Sequence, residues 1–396
     1  MQIEIVTKLS QIEPAAFDAL GDPNSPFVRH AFLNALETSH SVGHLATGWL
    51  PRHVVVRDGE AMVGAVPLYE KHDSYGEFIF DWAWAQGAAQ AGLAYYPKMV
   101  SAVPFTPAGG ERLLLHPQLS APQRQAVTHL LLQGMHQAAD ACGASSIHVL
   151  FCSADNLQVL TDMGMLPRRS FQFHWDNPGH WQTFDDYLAA LRAPSRKQVR
   201  KERRTAQSHG LTLSMRRASE LPLADVLALY AFYRSTVDEK GAVAYLSREF
   251  FVGLQKGRGA DDMVAAMAHR GEEPVAGAVF FARGGSLFGR YWGYLREAPG
   301  AADPDAVAPG YDALHFELCY YLPIQWCLQH GVRHFEAGAQ GEHKLRRGLL
   351  PQPCHSAHWL RHPGLRAAVA NYVQHETQAM DRDMQLYAAH TPYQRG

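Results

Sequence analysis

An approximate internal repeat constrains this chain more than any other feature of its sequence. His53-Val54-Val55-Val56, the turn Asp58-Gly59-Glu60 and Val63-Gly64-Ala65-Val66 are echoed by Asp262-Met263-Val264-Ala265-Ala266-Met267, Arg270-Gly271-Glu272 and Val275-Ala276-Gly277-Ala278-Val279. A glycine turn between two apolar runs demands positive φ and reverses the chain tightly, so each stretch reads as a β-hairpin. An aromatic strand is expected after each hairpin: Phe80-Asp81-Trp82, continuing a sheet from Phe78, and Arg290-Tyr291-Trp292. A long helix and a short strand follow in both halves. The helix ending at Ala141 leads to Ile147–Phe151, and Leu314–His330 leads to Val332–Glu336. A degenerate duplication of one α/β unit accounts for the pattern.

The length agrees, because 396 residues exceed what one hydrophobic core ordinarily serves. Composition shifts to Asn, Pro, Gly and His from Asp176 onward, which places the domain boundary there, with domains at 1–176 and 177–396. A net charge of -2 gives the molecule as a whole no preference for nucleic acid or anionic membrane, so any polyanion site must be local. Met1–Pro14 lacks the basic-then-apolar pattern of an export signal, and no apolar run spans a bilayer. Cys142, Cys152, Cys319, Cys327 and Cys354 are odd in number and contain no Cys-x-x-Cys pair, as expected of buried thiols in a reducing compartment. These features predict a cytoplasmic protein.

Helical spacing is expected over 196–204, with Ser195 as its cap after the interruption at Pro194-Ser195. Arg196, Arg200 and Arg204 then stack at i, i+4 and i+8 beside Lys197 and Lys201. Such a cationic face suits phosphates, as in CoA, a nucleotide or tRNA, and it equally suits a solvated helix with no ligand. Glu336 closes a predicted strand, and Glu342-His343-Lys344 follow the glycine-rich turn Gly338-Ala339-Gln340-Gly341. A carboxylate, an imidazole and an ammonium can meet there, His343 accepting a proton and Glu342 orienting it, although polar loops also carry such residues for solubility. Burying Asp81 or Arg290 unpaired would cost several kcal/mol, on the order of 3–5, so each needs a partner or a wet cleft. Cys354-His355-Ser356-Ala357-His358 is a poor zinc site, since in a strand His355 and His358 face opposite ways, and no metal is expected. The absence of a Gly-x-Ser-x-Gly elbow argues against hydrolase chemistry.

Several segments resemble signatures of a FemAB-like family of N-acyltransferases within the GNAT superfamily, related to peptidoglycan synthesis. They are Trp49–His53, Ser74–Glu77, Phe80–Trp84, Tyr95–Lys98, Val103–Pro107, Arg200–Arg204, Gly289–Gly293, His315–Tyr321 and Gly338–Lys344. The resemblance implies two tandem GNAT-like domains, each a mixed twisted sheet flanked by helices; the active centre is expected in the second, which carries the basic helix, Arg290-Tyr291-Trp292 and the Gly341–Lys344 loop. It implies transfer of an acyl group from acyl-CoA, or an aminoacyl group from aminoacyl-tRNA, to an amine such as that of a peptidoglycan precursor. The basic helix and the loop of Gly338, Gln340 and Gly341 would then hold the donor. Asp81, Trp82, Tyr95, Tyr96, Arg290, Tyr291 and Trp292 would contact the acceptor. Neither half has the Gln/Arg-x-x-Gly-x-Gly/Ala phosphate loop of acetyl-CoA enzymes, which leaves open a catalytically silent binding protein on the duplicated fold.

Overall fold

The computed structural model describes residues 1–295, 311–338 and 341–394, without the side chain of Glu342. The chain divides into two compact units. Met1–Phe171 and Pro353–Met384 form the first, and Gln172–Gln352 with the residues from Gln385 onward form the second. Residues 353–384, which follow the second half in sequence, therefore pack with the first unit.

In the first unit β1 (Gln2–Val6) is followed by α1 (Pro14–Asp18), α2 (His30–Thr38), the short β2 (Trp49–Pro51) and the hairpin β3 (His53–Asp58) and β4 (Ala61–Val66). An insertion then carries β5 (Tyr69–Lys71), α3 (Trp82–Gln90) and β6 (Lys98–Ser101) before β7 (Leu114–Leu115) rejoins the sheet. The antiparallel order is β1-β3-β4-β7. The long α4 (Ala121–Ala141), started by a Ser120/Gln123 capping box, buries Val127, Leu131 and Met135 in the same core as Val54, Val56 and Val66. It leads to β8 (Ser146–Cys152), whose seven residues are all buried, and then to α5 (Ala154–Asp162). β6 runs parallel to β8, from Met99 opposite Ile147 to Ser101 opposite Val149.

The expected strand at Phe78–Trp82 is not formed. Residues 75–81 make a loop with Phe78 at φ +64, and Trp82 is the first residue of α3. Phe78, Phe80 and Trp82 are exposed and alternate with the buried Ile79 and Asp81, which mimics a half-buried strand. The burial has the period of a strand, but the left-handed Phe78 and the start of α3 at Trp82 break the extended backbone.

β9 (Leu166–Asp176) leads from the first unit into the second. There α6 (Phe184–Ala190) begins at a Thr183/Asp186 capping box, and α7 (Ala193–Gln207) follows. Helix α7 starts earlier than expected: Arg192, not Ser195, is the N-cap, because Pro194 fits the first turn, where no backbone N–H is needed. The unit continues with β10 (Thr212–Arg217), α8 (Leu223–Glu239), α9 (Arg248–Lys256), the hairpin β11 (Met263–Arg270) and β12 (Glu273–Arg283), and β13 (Ser286–Tyr294). α10 (Leu314–Phe316) passes through a π-helical turn, Glu317–Tyr321, into α11 (Leu322–Gln329). Pro323 cannot donate to Cys319, and the wider turn just before it accommodates the missing bond. β14 (His334–Glu336), β15 (Leu350–Leu360) and α12 (Pro363–Ala389) complete the order, the last two returning the chain to the first unit.

The repeat is thus real in connectivity. Each unit has a strand, two helices, a hairpin, a fourth antiparallel strand, a long helix and a further strand. The aromatic fourth strand exists only in the second unit, as β13. Among the described residues no helix is long and apolar enough to cross a membrane.

Gly293 on β13 lies so close to α8 that a Cβ would sit 1.9 Å from the carbonyl oxygen of Phe232. Backbone cannot rotate away as a side chain does. Gly293→Ala should lower stability by about 3 kcal/mol, read as a shift in denaturant midpoint with unchanged slope. A variant as stable as the parent would show that α8 is not seated tightly on the sheet.

Candidate functional site

β13 and β14 pair in parallel for only three residues, Ser286–Phe288 against His334–Glu336. Beyond them the ladder ends. Gly289 stands beside Ala337, and Arg290, Tyr291 and Trp292 are half-buried along the open edge of β13. By contrast, β8 in the first unit is flanked by the inserted β6 and buried along its whole length. In the second unit, then, the parallel ladder stops after three residues while β13 runs on, and this point is the β13/β14 splay.

Around this splay the π turn and the 3-10 turn Glu342–Arg347 bring together aromatic and titratable groups. The His315 ring packs edge-on to Trp292 at 5.0 Å and lies 6.5 Å from the His343 ring. His343 Nε2 is 3.0 Å from the Tyr320 hydroxyl. Gly341, at φ +116, leaves room for that imidazole, since a Cβ there would fall 2.4 Å from its Cε1. Burial, then Arg347 and Lys344, lower the pKa of His343. Burial, then His343 and Arg347, push His315 down to about 3, so it is neutral. Cys319 Sγ lies 3.5 Å from His315 Nδ1, and burial raises its thiol far above the range in which a thiolate forms at neutral pH.

Lys344 is buried, and its ammonium donates to the Gly338 carbonyl at 2.7 Å. Among the described residues no carboxylate lies within ion-pair reach of it. Desolvation brings its pKa down to about 8, near the working range of a proton acceptor.

Of the residues expected to act here, His343, Lys344, Gly338 and Gly341 come together, and Trp292 joins them through His315. Gln340 and the side chain of Glu342 lie outside the described residues. The group that orients His343 is the Tyr320 hydroxyl. Glu336 engages His334, with Oε1 and Nε2 3.5 Å apart. Arg290 stacks on Tyr291 at 5.3 Å.

On α7 the predicted cationic face is the outer one. Lys197, Arg200, Lys201 and Arg204 are exposed, and Arg196 is half-buried with its guanidinium near the Ala189 carbonyl. The inner face carries two residues not singled out from sequence. Glu202 accepts from Arg347 at 2.7 Å and from the Tyr321 hydroxyl, and Arg203 holds Glu317 at 2.8 Å and Gln325 at 2.9 Å. Their positions three and four after the buried Val199 were the available signal.

In the first unit, Asp81, Tyr95 and Tyr96 meet around a group the sequence reading missed, Lys98. Its ammonium, fully buried, donates to Asp81 at 2.5 Å, Glu77 at 2.9 Å and Ser74 at 2.8 Å. The Tyr95 hydroxyl donates to Asp81 at 2.6 Å, and the Tyr96 hydroxyl lies 2.8 Å from Ser74 Oγ. Trp82 is exposed and packs on Tyr75 at 5.1 Å. Lys98 and the hydrogen bonds hold Asp81 well below the usual carboxylate range in spite of its burial, whereas burial lifts Glu77 to about 7. Asp81 therefore holds its charge more firmly than Glu77 does.

The antiparallel sheet with its helices, repeated in the two units, is a GNAT-like acyltransferase fold present twice. Residues 8–395 match the model of the FemAB-like family, described as peptidoglycan biosynthesis/recognition, and the chain belongs to that family. Among solved structures the chain is similar to FemX, with TM-score 0.53 at 12% identity over 93% of this chain and 100% of that one. It is also similar to L-PGS from Bacillus licheniformis, with TM-score 0.51 at 13% identity over 91% of this chain and 97% of that one. None of the curated proteins matches the sequence.

Replacing Lys98 strands two buried carboxylates, so Lys98→Met should cost about 3–5 kcal/mol at pH 7. Glu77→Gln should cost much less and alter the pH dependence. A carboxyl raised from 4.5 to about 7 holds its proton more tightly folded than unfolded, so its contribution is full below pH 4.5 and is lost as pH rises through 7. Denaturant melts from pH 4.5 to 7.5 should show this decline in the parent and a flatter profile in Glu77→Gln. Identical slopes would exclude a raised pKa at Glu77.

Proposed function

We propose that the protein is an N-acyltransferase that passes an acyl or aminoacyl group to an amine, with its reaction centre at the β13/β14 splay of the second unit. The observation that carries this reading is Lys344, a buried lysine at the splay with its pKa lowered to about 8. The family's description favours an amine of a peptidoglycan precursor as acceptor. Acyl-CoA and aminoacyl-tRNA both offer the activated carbonyl and the phosphates that the site suits.

In the proposed reaction the neutral acceptor amine attacks the donor carbonyl carbon. A C–N bond forms, and the C–S bond of a thioester or C–O bond of an ester breaks. Neutral Lys344 takes the proton that the amine sheds and returns it to the departing thiolate or alkoxide, so it ends each turnover unchanged. Its lowered pKa supplies a substantial neutral fraction at pH 7–8. His343, held by Tyr320, borders the splay and positions the substrate. Because Cys319 stays a thiol, a direct transfer fits better than a covalent cysteine intermediate.

The outer face of α7 is the proposed phosphate anchor. Its inner face is bound by Glu202 and Arg203, so the outer cations are free of structural duty and can be exchanged without loosening the helix. Arg200→Ala with Arg204→Ala should raise the Michaelis constant for the donor and leave both kcat and the melting temperature near parental values. A tRNA donor should also give a steep salt dependence that these changes reduce. Unchanged donor affinity would remove the anchor.

The rate with saturating donor should rise with pH through about 8, as Lys344 loses its proton, and then level off. Lys344→Gln should lose this limb and about 100-fold or more in kcat. If the limb survives in Lys344→Gln and vanishes in His343→Ala, the proton acceptor is His343. If neither donor class shifts the melting temperature of the parent, the fold is a silent binding platform and the transferase reading fails.

A further inference from the structure

β14 pairs antiparallel with the end of β9, and the register places two matching tripeptides face to face. His174-Trp175-Asp176 lies against His334-Phe335-Glu336, with His174 opposite Glu336 and Asp176 opposite His334. Trp175 and Phe335 are completely buried. Since side chains alternate along a strand, burial of these two rings on one face fixes the register and sends the four polar groups to the other. A one-residue slip would disperse them.

We propose that His174, His334 and Glu336 form a three-ligand site for a divalent cation of the zinc class. One ligand atom from each lies within 4.8 Å of the others. His334 Nε2 and Glu336 Oε1 are 3.5 Å apart. Ligands held tetrahedrally about 2.0–2.1 Å from zinc stand roughly 3.3–3.4 Å from one another, so this pair is already spaced for a shared ion, and small side-chain rotations of His174 complete the set. The Asp176 carboxylate, 2.7 Å from His334 Nδ1, accepts that N–H and aims Nε2 at Glu336, where an incoming ion would take the place of the Nε2 proton. A carboxylate behind a metal-binding histidine is the usual outer partner that sets tautomer and ring orientation. Gln172 Oε1, 3.5 Å from His174 Nε2, continues the same strand face.

Two imidazoles and one carboxylate favour zinc or a neighbouring transition ion over magnesium or calcium, which prefer all-oxygen sets. His174 and Glu336 are buried and His334 is half-exposed, so an ion has a path in from solvent. Three protein ligands leave a fourth position for water or a ligand atom. The site stands on geometry apart from the transferase reading, and its test needs no turnover.

The full chain, stripped with a chelator that is then dialysed away, is titrated with zinc chloride by calorimetry and with cobalt(II) by visible absorption. One tight equivalent per chain is expected, with a tetrahedral cobalt spectrum and a zinc-dependent rise in melting temperature that magnesium does not give. His174→Ala and Glu336→Gln should each weaken zinc binding at least tenfold, and Asp176→Asn about tenfold. Circular dichroism and melting without metal establish that each variant is folded, and Glu336→Gln keeps the shape of the native side chain if His174→Ala does not fold. His40 and His44, exposed with ring nitrogens 3.1 Å apart, provide the control for surface capture. Zinc binding that persists in the site variants and falls in His44→Ala would overturn the assignment. So would the absence of any tight equivalent, which would leave His334 simply ion-paired between Asp176 and Glu336.

Discussion

The second unit depends on one buried ion pair, Glu202 with Arg347. Glu202 comes from the basic helix, and Arg347 closes the turn that carries His343 and Lys344. Arg347 also donates to the His343 carbonyl at 2.8 Å and stacks on Phe316 at 3.6 Å, while Tyr321 in the π turn donates to Glu202. Three elements that no backbone ladder joins are thereby held through one guanidinium. Burying such a pair repays its desolvation only when every donor and acceptor is used, and here Gln198 and Tyr321 engage the remaining capacity of Glu202. The pair's contribution is better understood as position than as net stability. Besides the direct contact of Tyr320 with His343, this pair is what ties the turn bearing Lys344 to the π turn and to the basic helix.

How much of this was legible in sequence follows from which signals are local. The hairpins were, because a glycine at positive φ between apolar runs has few alternatives, and Gly59 and Gly271 both adopt it at φ +59 and +60. The family was legible in motifs too particular to arise from composition, and those motifs fall where the structure concentrates polar groups. The loop at residues 75–81 was not, since exposed aromatics alternating with the buried Ile79 and Asp81 imitate a strand. Lys98 escaped notice for a related reason. A lysine in a short apolar strand is ordinarily assigned to the surface, and only the convergence of Glu77, Asp81 and Ser74 from the insertion shows why it is fully buried.

The basic helix shows how a correct inventory can be divided wrongly. Its cations are present and helical as expected, but they perform two tasks that sequence spacing does not separate. Arg203 faces inward to Glu317 and Gln325, and its neighbours Arg200 and Arg204 face solvent. Each residue turns the helix by about 100°, so adjacent positions within one charge run have opposite fates. The buried Val199, Glu202 and Ala206 define the boundary between them. A charge run is therefore read better by the face it leaves apolar than by its total.

The two units show why duplication of a fold need not duplicate a site. In the second unit the ladder between β13 and β14 lasts three residues, and β13 runs on with half-buried side chains at 289–292. In the first unit the inserted β6 pairs with β8, and every residue of both strands is buried. Filling that space required polar groups to be brought inside with it, and Lys98, Glu77 and Asp81 neutralise one another there. Among the described residues the parallel ladder that stops short is in the second unit, and beside it stands Lys344, whose pKa burial lowers with no carboxylate in ion-pair reach; Lys71 of the first unit is lowered by burial as well but is held by Asp73. Where the sheet is open, the charge is left available; where it is closed, the charge is consumed in holding it shut.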